Sequence, residues 1–147
     1  MENNLLLDIA IQYIIVRIND ELLAVEIKDI ESIVVRQKIT RIPDSQSYFK
    51  GVINLRGEII PMISLRERIN SKEDEYTNKS RFIVLKTSEH SKIGFIVDEV
   101  REVIELKEED IDKVNTSNET SQSFGVGIAK YKKELITVLN IAKVIED

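Results

Sequence analysis

The chain has 147 residues and a formal charge of −5, so it suits one compact domain or two very small ones. The negative charge and the 5% aromatic content argue against nucleic acid, because phosphate attraction needs clustered cations and base stacking needs aromatic platforms. There are no cysteines, which excludes disulfides and thiolate metal sites, and no apolar run nears the roughly 20 residues that span a bilayer. We expect a cytoplasmic protein without direct membrane insertion.

The first 43 residues predict a β-hairpin, then a short helical turn and a brief strand. Apolar, β-branched runs at 11–18 and 22–27 flank an Asn-Asp turn, a pattern typical of a hairpin. Residues 29–34 place apolar side chains at i, i+3 and i+4, which predicts a short helical turn. Residues 39–43 predict a brief strand that ends at a proline.

Residues 51–66 predict a second hairpin, which is the most informative part of the chain. Apolar residues enter and leave a tight turn that contains Asn54, Arg56 and Gly57. The asparagine can hydrogen-bond to nearby backbone, and the glycine accepts the positive φ that closes the turn. Pro61 suits an edge strand, where no hydrogen bond of the sheet is lost.

A short helix is predicted after this hairpin, because Ser64 and Glu67 have the spacing of a capping box. Residues 70–80 are polar and charged, and they are the best candidate for an internal boundary.

The second half repeats the order of the first. Strands are predicted at 82–85 and 93–97, and a closing helix at 141–145. Residues 98–104 echo 29–34, since a shift of 70 positions puts Ile30 on Val100, Ile33 on Val103 and Val34 on Ile104. Residues 134–141 match 58–65 after a shift of 76. We infer an internal duplication with halves at 1–76 and 77–147, each too small for a comfortable core of its own. Short strands at regular spacing favour small barrels whose halves bury apolar surface against each other.

No enzymatic centre is predicted. His90 stands alone in a hairpin-turn context, and the carboxylate runs at 73–75 and 108–110 are typical of solvated faces. Nucleophile elbows, phosphate-binding loops and zinc motifs do not occur. We therefore predict no catalytic residue, no metal and no cofactor.

Two interpretations of Arg56 remain open. A solvated arginine at a hairpin tip is the common case, whereas an arginine flanked by apolar residues also suits an interaction anchor with five hydrogen-bond donors.

Three blocks of the chain resemble the CheW family of bacterial chemotaxis coupling proteins. They are Gly51-Val52-Ile53-Asn54-Leu55-Arg56-Gly57, then Gly94-Phe95-Ile96-Val97-Asp98-Glu99-Val100, and finally Leu139-Asn140-Ile141. The resemblance extends from about residue 12 to 145. It implies a mainly β fold of two similar five-stranded SH3-like β-barrels packed together, with a few short helices including one at the C-terminus. Strands and the last helix can then cross between the halves.

The resemblance also implies a function and its surfaces. Such proteins are non-enzymatic adaptors that couple the histidine kinase CheA, through its regulatory domain, to the cytoplasmic tips of methyl-accepting chemoreceptors in arrays on the inner face of the membrane. The receptor-facing residues implied here are Ile30, Arg56, Gly57, Phe82 and Gly94. The kinase-facing residues implied are Ser32, Val34 and Ile39, with a weaker surface on the other barrel.

Two positions depart from the family pattern. Ser32 stands where many members have a carboxylate able to pair with the turn arginine, so Glu31 or Glu58 would have to replace it. Ser64 stands where many have an aspartate, although serine still caps a helix. The alternative function is a small-ligand sensor or regulatory β-barrel domain, since small barrels often hold a ligand at their mouth.

Overall fold

The computed structural model describes residues 9–43, 46–70, 72–88, 90–113 and 124–145, and these residues are mainly β. The chain forms two compact units. Residues 1–27 and 101–147 make one, which we call the discontinuous unit, and residues 28–100 make the other, the continuous unit. The halves predicted from the repeat, 1–76 and 77–147, follow sequence order, whereas the compact units do not.

Eleven strands lie in the described residues. They are β1 (Ile11–Ile18), β2 (Glu21–Glu26), β3 (Ile30–Val34), β4 (Phe49–Leu55), β5 (Glu58–Ser64), β6 (Arg81–Ser88), β7 (Ser91–Val97), β8 (Glu99–Leu106), β9 (Ile111–Lys113), β10 (Gly125–Tyr131) and β11 (Glu134–Leu139). The helical pieces are short: 3-10 turns at Ile27–Asp29 and Glu108–Asp110, a π-helical segment at Arg66–Asn70 and an α-helix at Ile141–Ile145. The predicted fold class is confirmed.

The hairpins and both predicted helices are confirmed, but the helical turn predicted at 29–34 is wrong. Residues 30–34 form strand β3, and residues 99–104 of the repeat lie in strand β8. Ile30 and Val34 are half-buried while Ile33 is exposed, so the burial alternates with period 2. The brief strand predicted at 39–43 is reduced to a single bridge, in which Thr40 pairs with Val52.

The continuous unit is a five-stranded sheet in the order β3-β6-β7-β5-β4. Its pairs are antiparallel except β5 with β7, which run parallel. The edge position predicted for Pro61 is wrong, because β5 lies between β7 and β4; the ladder to β7 begins at Met62, one residue after the proline. The chain that leaves edge strand β3 reaches the opposite edge at β4, where Thr40 N and Val52 O lie 2.8 Å apart and Val52 N and Thr40 O lie 2.9 Å apart. This bridge brings the two edges of the sheet together, as a small barrel requires.

The discontinuous unit repeats this topology in the order β8-β1-β2-β11-β10-β9. Its parallel pair is β11 with β2, the counterpart of β5 with β7. Strand β9, which follows β8, pairs with β10 as Thr40 pairs with β4. The duplication inferred from the sequence is therefore present in the strand order.

Each unit takes its first hairpin from the other half of the sequence. The β1–β2 hairpin joins the sheet of β8 to β11, and the β6–β7 hairpin joins the sheet of β3 to β5. This exchange explains why a boundary near residue 76 falls inside the continuous unit.

Gly51 and Gly127 hold equivalent places in the two units, 76 positions apart. The pairing register shifts at both, between Phe49 and Gly51 and between Gly125 and Gly127. A Cβ added at Gly51 would lie 2.1 Å from the carbonyl oxygen of Thr40, and one at Gly127 would lie 2.7 Å from that of Asp112. The absence of a side chain lets the closing segment approach each bulged strand.

Each sheet encloses its own apolar cluster. In the continuous unit the buried members are Ile53, Ile60, Met62, Phe82, Val84 and Ile96, with Val34, Ile39, Leu55 and Tyr76 packed around them. In the discontinuous unit they are Tyr13, Ile15, Ala24, Ile104, Leu106, Ala129, Ile136 and Val138. These residues come from alternate positions along their strands, so each cluster lies on one face of its sheet. The inner strands are also buried on the other face, as the consecutive buried positions of β1 and β6 show.

Replacing Gly51 by alanine should destabilise the protein by about 3 kcal/mol, because the new Cβ meets backbone and the φ of +128° disfavours a side chain. Gly57→Ala is the matched control: its φ is +86°, but nothing lies within 4 Å of the added Cβ, so the cost should stay near 1 kcal/mol. Urea denaturation of both variants measures the difference. An equal loss of unfolding free energy in the two variants would show that the chain at Thr40 can move away from an added Cβ at little cost.

Candidate functional site

Arg56 lies at the exposed tip of the β4–β5 hairpin in the continuous unit. Arg56 and Gly57 have φ values of 53° and 86°, so both central residues are in the left-handed region, as in a type I′ turn. The backbone N–H of Gly57 donates to Oδ1 of Asn54 at 3.0 Å. The predicted local roles of Asn54 and Gly57 are confirmed, and they hold the arginine away from the sheet.

The equivalent tip of the β10–β11 hairpin also carries a cation. Lys132 and Lys133 have φ values of 49° and 68°. Lys132 Nζ lies 3.6 Å from an oxygen of Glu102 and 5.2 Å from the ring centroid of Tyr131. Within the described residues the guanidinium of Arg56 has no ion pair, so the two tips differ in how far their charge is neutralised.

The carboxylates expected to serve Arg56 are held by another cation. Lys92 Nζ on β7 lies 2.6 Å from Glu31 Oε2 on β3 and 2.6 Å from Glu58 Oε1 on β5. The hydrogen bond to Glu31, followed by that to Glu58, raises the pKa of Lys92. Neither glutamate therefore replaces the family's carboxylate beside Arg56, and Lys92 ties three strands together at this end of the sheet.

The remaining predicted receptor-facing residues lie in the continuous unit but are less accessible than Arg56. Ile30 is half-buried at the start of β3 and pairs with Leu85. Phe82 is completely buried in the core cluster. Gly94 is also buried, and a Cβ there would lie 2.2 Å from the sulfur of Met62. The structure thus brings Arg56 and Gly57 together at the surface, whereas Phe82 and Gly94 shape the interior.

The predicted kinase-facing residues lie on β3 and the segment that follows it. Val34 and Ile39 pack against the core cluster, and Ser32 is half-buried. The side chains that face outward are their neighbours: Ile33 is 39% exposed and Val35 is 60% exposed. The exposure of Ile33 and Val35 was not predicted, because residues 29–34 were assigned a helical period; a period of 2 over 30–35 predicts it.

A buried charge cluster in the continuous unit was also missed from the sequence. Arg66 is buried, and its Nε lies 2.8 Å from Oδ2 of Asp98. Its Nη1 donates to the carbonyl of Glu73 at 3.0 Å and to Oε2 of Glu75 at 3.2 Å. Burial alone would lower the pKa of Arg66, but the hydrogen bonds and charges of Asp98 and Glu75 outweigh it and raise the pKa. Arg66 thereby fixes the polar segment that the sequence predicted as a boundary.

Asp74 lies in the same segment and is half-buried. Ser64 Oγ donates to its Oδ1 at 2.9 Å and accepts from the backbone N–H of Glu67 at 3.1 Å, so Ser64 caps the π-helical segment as predicted. The other oxygen of Asp74, Oδ2, is buried without a hydrogen-bond partner among the described residues. Burial raises the pKa of Asp74, and the Ser64 hydrogen bond opposes that rise.

The discontinuous unit carries an apolar cleft of about 400 Å³. Its lining includes Ile9, Ile11, Tyr13, Leu106, Ile111 and Val126. A small apolar ligand would fit this cleft, so it is the site at which the alternative function, a small-ligand sensor, can be tested.

The described residues contain no group of acidic or histidine side chains arranged to hold a metal ion. None of the helices described there is both long and apolar enough to cross a membrane. The prediction of no metal stays a prediction for the whole chain.

Two β units of one topology, with an arginine-tipped hairpin in the continuous unit, define a CheW-like domain. The family model for the CheW-like domain matches residues 12–147, and the chain belongs to that family. Chemotaxis protein CheW of Helicobacter pylori is 32% identical over 136 residues, covering 92% of this chain and 82% of the relative. Chemotaxis protein CheW of Thermotoga maritima is 34% identical over 130 residues, covering 88% and 84%.

A solved structure shows the same fold. The crystal structure of the scaffolding protein TtCheW from Thermoanaerobacter tengcongensis matches with a TM-score of 0.84 and 30% sequence identity. The match covers 95% of this chain and 90% of that protein. The resemblance noted in the sequence is thus confirmed as family membership.

Asp74→Asn should raise the melting temperature by a few degrees at neutral pH. Because the folded-state pKa of Asp74 is raised, its stabilising contribution is full below the unfolded-state pKa and is lost as pH rises through the folded value. Asparagine removes the buried charge and keeps an acceptor for Ser64. Thermal unfolding followed from acidic to neutral pH should show the two proteins converging at low pH.

Glu73→Gln is the control, since the side chain is exposed and only its backbone carbonyl binds Arg66. Its melting temperature should follow the parent at every pH. An Asp74→Asn variant less stable than the parent at neutral pH would contradict the raised pKa of the buried Asp74 carboxyl.

Proposed function

We propose that this protein is a non-enzymatic chemotaxis adaptor that couples the histidine kinase CheA to methyl-accepting chemoreceptors. Family membership supports the proposal, since its relatives are chemotaxis proteins and its structural neighbour is a scaffolding protein. In this role it works in the cytoplasm, at receptor arrays on the inner face of the membrane.

The observation that carries the proposal is the guanidinium of Arg56, held by a locked turn at an exposed tip and without an ion pair among the described residues. The turn fixes where the side chain leaves the backbone, and the planar guanidinium offers five donors in a rigid fork, so it suits an anchor at a protein interface. The proposed receptor surface therefore centres on Arg56 and Gly57, with Ile30 at its margin. Phe82 and Gly94 support it from inside by packing against Met62 and its neighbours.

The proposed kinase surface is the β3 face and the segment after it. The inner side of this segment is formed by Ser32, Val34 and Ile39. Its outer side exposes the apolar side chains of Ile33 and Val35. A strand with exposed apolar residues at one end of a sheet can bury them against a similar barrel in the partner. A modest contact of this kind suits an array, where many interfaces act together.

Arg56→Glu should reduce co-sedimentation with receptor signalling tips and CheA by about tenfold or more, because the anchor would repel the carboxylate it is expected to meet. The side chain is exposed, so the urea midpoint should not change. Binding is measured on membranes or nanodiscs that carry the receptor tips, with wild-type protein as reference.

Lys132→Glu is the matched control, since it reverses a charge at the equivalent hairpin tip of the other unit. It should leave the receptor interaction within about twofold of the wild type. If Arg56→Glu co-sediments with the receptor tips and CheA as well as the wild type does, Arg56 is not an anchor of this interaction. If the wild-type protein binds neither partner but shows a large thermal shift with a metabolite, the ligand-sensor alternative replaces the adaptor.

A further inference from the structure

A groove lined by basic but no acidic side chains runs along the continuous unit, next to the segment that closes its sheet. It encloses about 490 Å³. We call it the basic groove, and its lining residues are Arg36, Gln37, Lys38, Ile39, Arg41, Lys50 and Tyr76. None of these residues is acidic, although the whole chain has a formal charge of −5. Four cations around one depression therefore oppose the overall charge of the protein.

The floor of the basic groove is fixed by backbone hydrogen bonds. Thr40, between two lining residues, is bridged to Val52 in both directions. Ile39 packs against the core cluster, so its neighbours are held at a set distance from the sheet. A ligand would meet a surface that needs little ordering.

One wall of the groove is also fixed. Tyr76 packs against the core cluster, and the segment before it is held by Arg66 through the carbonyl of Glu73 and the carboxylate of Glu75. The guanidinium carbon of Arg36 lies 3.7 Å from the ring centroid of Tyr76, a cation–π contact that orients its donors.

The four cations differ in how far they are already satisfied. Lys50 is paired with Glu67, and Arg36 is stacked on Tyr76. Lys38 is exposed and Arg41 is exposed, and neither has an ion pair or hydrogen bond from its side chain among the described residues. Two cations thus build the groove, and two remain to bind an anion.

The groove continues into a second depression of about 380 Å³ that shares Arg41 and Lys50. Ile42, Pro43 and Phe49 line this extension, and Ile42 is 43% exposed. The two depressions together are lined by both basic and apolar side chains. That mixture suits an extended peptide better than a compact phosphate group, which would leave the apolar wall unused.

We propose that the basic groove binds an extended acidic segment of a partner protein. Carboxylates of the segment pair with Lys38 and Arg41, and an apolar side chain between them lies against Ile39 or Ile42. Ile39 belongs both to the basic groove and to the proposed kinase surface, so the inference rests on the proposed function at this residue. If the kinase is the partner, the inference adds that its contacting segment is extended and acidic.

The test uses the whole protein and a short labelled peptide that alternates Glu, Asp and Leu, followed by fluorescence anisotropy at low and high salt. The wild-type protein should bind the peptide with a salt-dependent affinity, and the double variant Lys38→Glu, Arg41→Glu should lose at least about tenfold. A peptide with Gln and Asn in place of the acids should not bind.

The control double variant is Lys86→Glu, Lys130→Glu, which makes the same change in net charge at exposed strand positions outside the groove. It should bind the acidic peptide within about twofold of the wild type. Equal losses in both double variants would mean that net charge alone attracts the peptide, and would overturn the inference. Equal binding of an inorganic polyphosphate of matched charge would overturn it too, by showing an unselective anion surface.

The two proposals fail in different ways. If CheA and receptor tips co-sediment with the protein while the peptide does not bind, the groove inference is wrong and the adaptor role stands. If the peptide binds through Lys38 and Arg41 while CheA and the receptors do not co-sediment, the adaptor role is wrong and the groove stands. Salt-dependent self-association that Lys38→Glu, Arg41→Glu abolishes, without peptide binding, would assign the groove to a second copy of this chain.

Discussion

The close approach of Thr40 to Gly51 is the constraint on which the rest of the continuous unit depends. The carbonyl of Thr40 occupies the place that a Cβ at position 51 would take, and two backbone hydrogen bonds join Thr40 to Val52. The contact closes the sheet, because it joins the chain after one edge strand to the other edge strand. The same contact positions two surfaces. The basic groove is lined by the residues on either side of Thr40, and the Arg56 hairpin begins with β4, the strand that Thr40 pairs with. Gly127 and Asp112 repeat the arrangement in the discontinuous unit.

Arg66 provides the second constraint, and it acts on chain that has no regular secondary structure. Residues 72–77 form neither helix nor strand, so their backbone has few partners of its own. Arg66 donates to the backbone carbonyl of Glu73 and to the carboxylate of Glu75, while its charge is balanced by Asp98. A buried ion pair of this kind contributes little net stability against an apolar replacement, but removal of one partner leaves an uncompensated charge. Its structural effect is to specify where Tyr76 packs.

The local features of the fold could be predicted from the sequence, because their causes are local. The Asn54–Gly57 turn follows from the short reach of an asparagine side chain and the freedom of glycine at positive φ. The helix cap at Ser64 follows in the same way. Residues 29–34 show the limit: Ile30, Ile33 and Val34 satisfy helical spacing, yet the segment is a strand because it pairs with β6.

Features that depend on distant pairing could not be predicted. The repeat revealed two halves, but the exchange of hairpins between them is set by which strands pair, as in the parallel contact of β11 with β2. The partners of Arg66 are 7, 9 and 32 positions away, and no sequence pattern joins them. The basic groove could not be predicted for a similar reason, because Lys50 and Tyr76 come to it from segments distant in the sequence.

The three-way contact of Lys92 changes how the departure at Ser32 should be understood. A carboxylate on β3 able to bond the turn arginine would partly neutralise it before any partner arrives. Here Glu31 and Glu58 are the available carboxylates, and both are bound to Lys92. Lys92 therefore joins β3, β7 and β5, and it also keeps both glutamates paired away from Arg56. The serine at position 32 and the pairing of Lys92 with both glutamates have the same effect: among the described residues, no carboxylate neutralises Arg56. In the proposed receptor contact, that charge would meet a carboxylate of the partner.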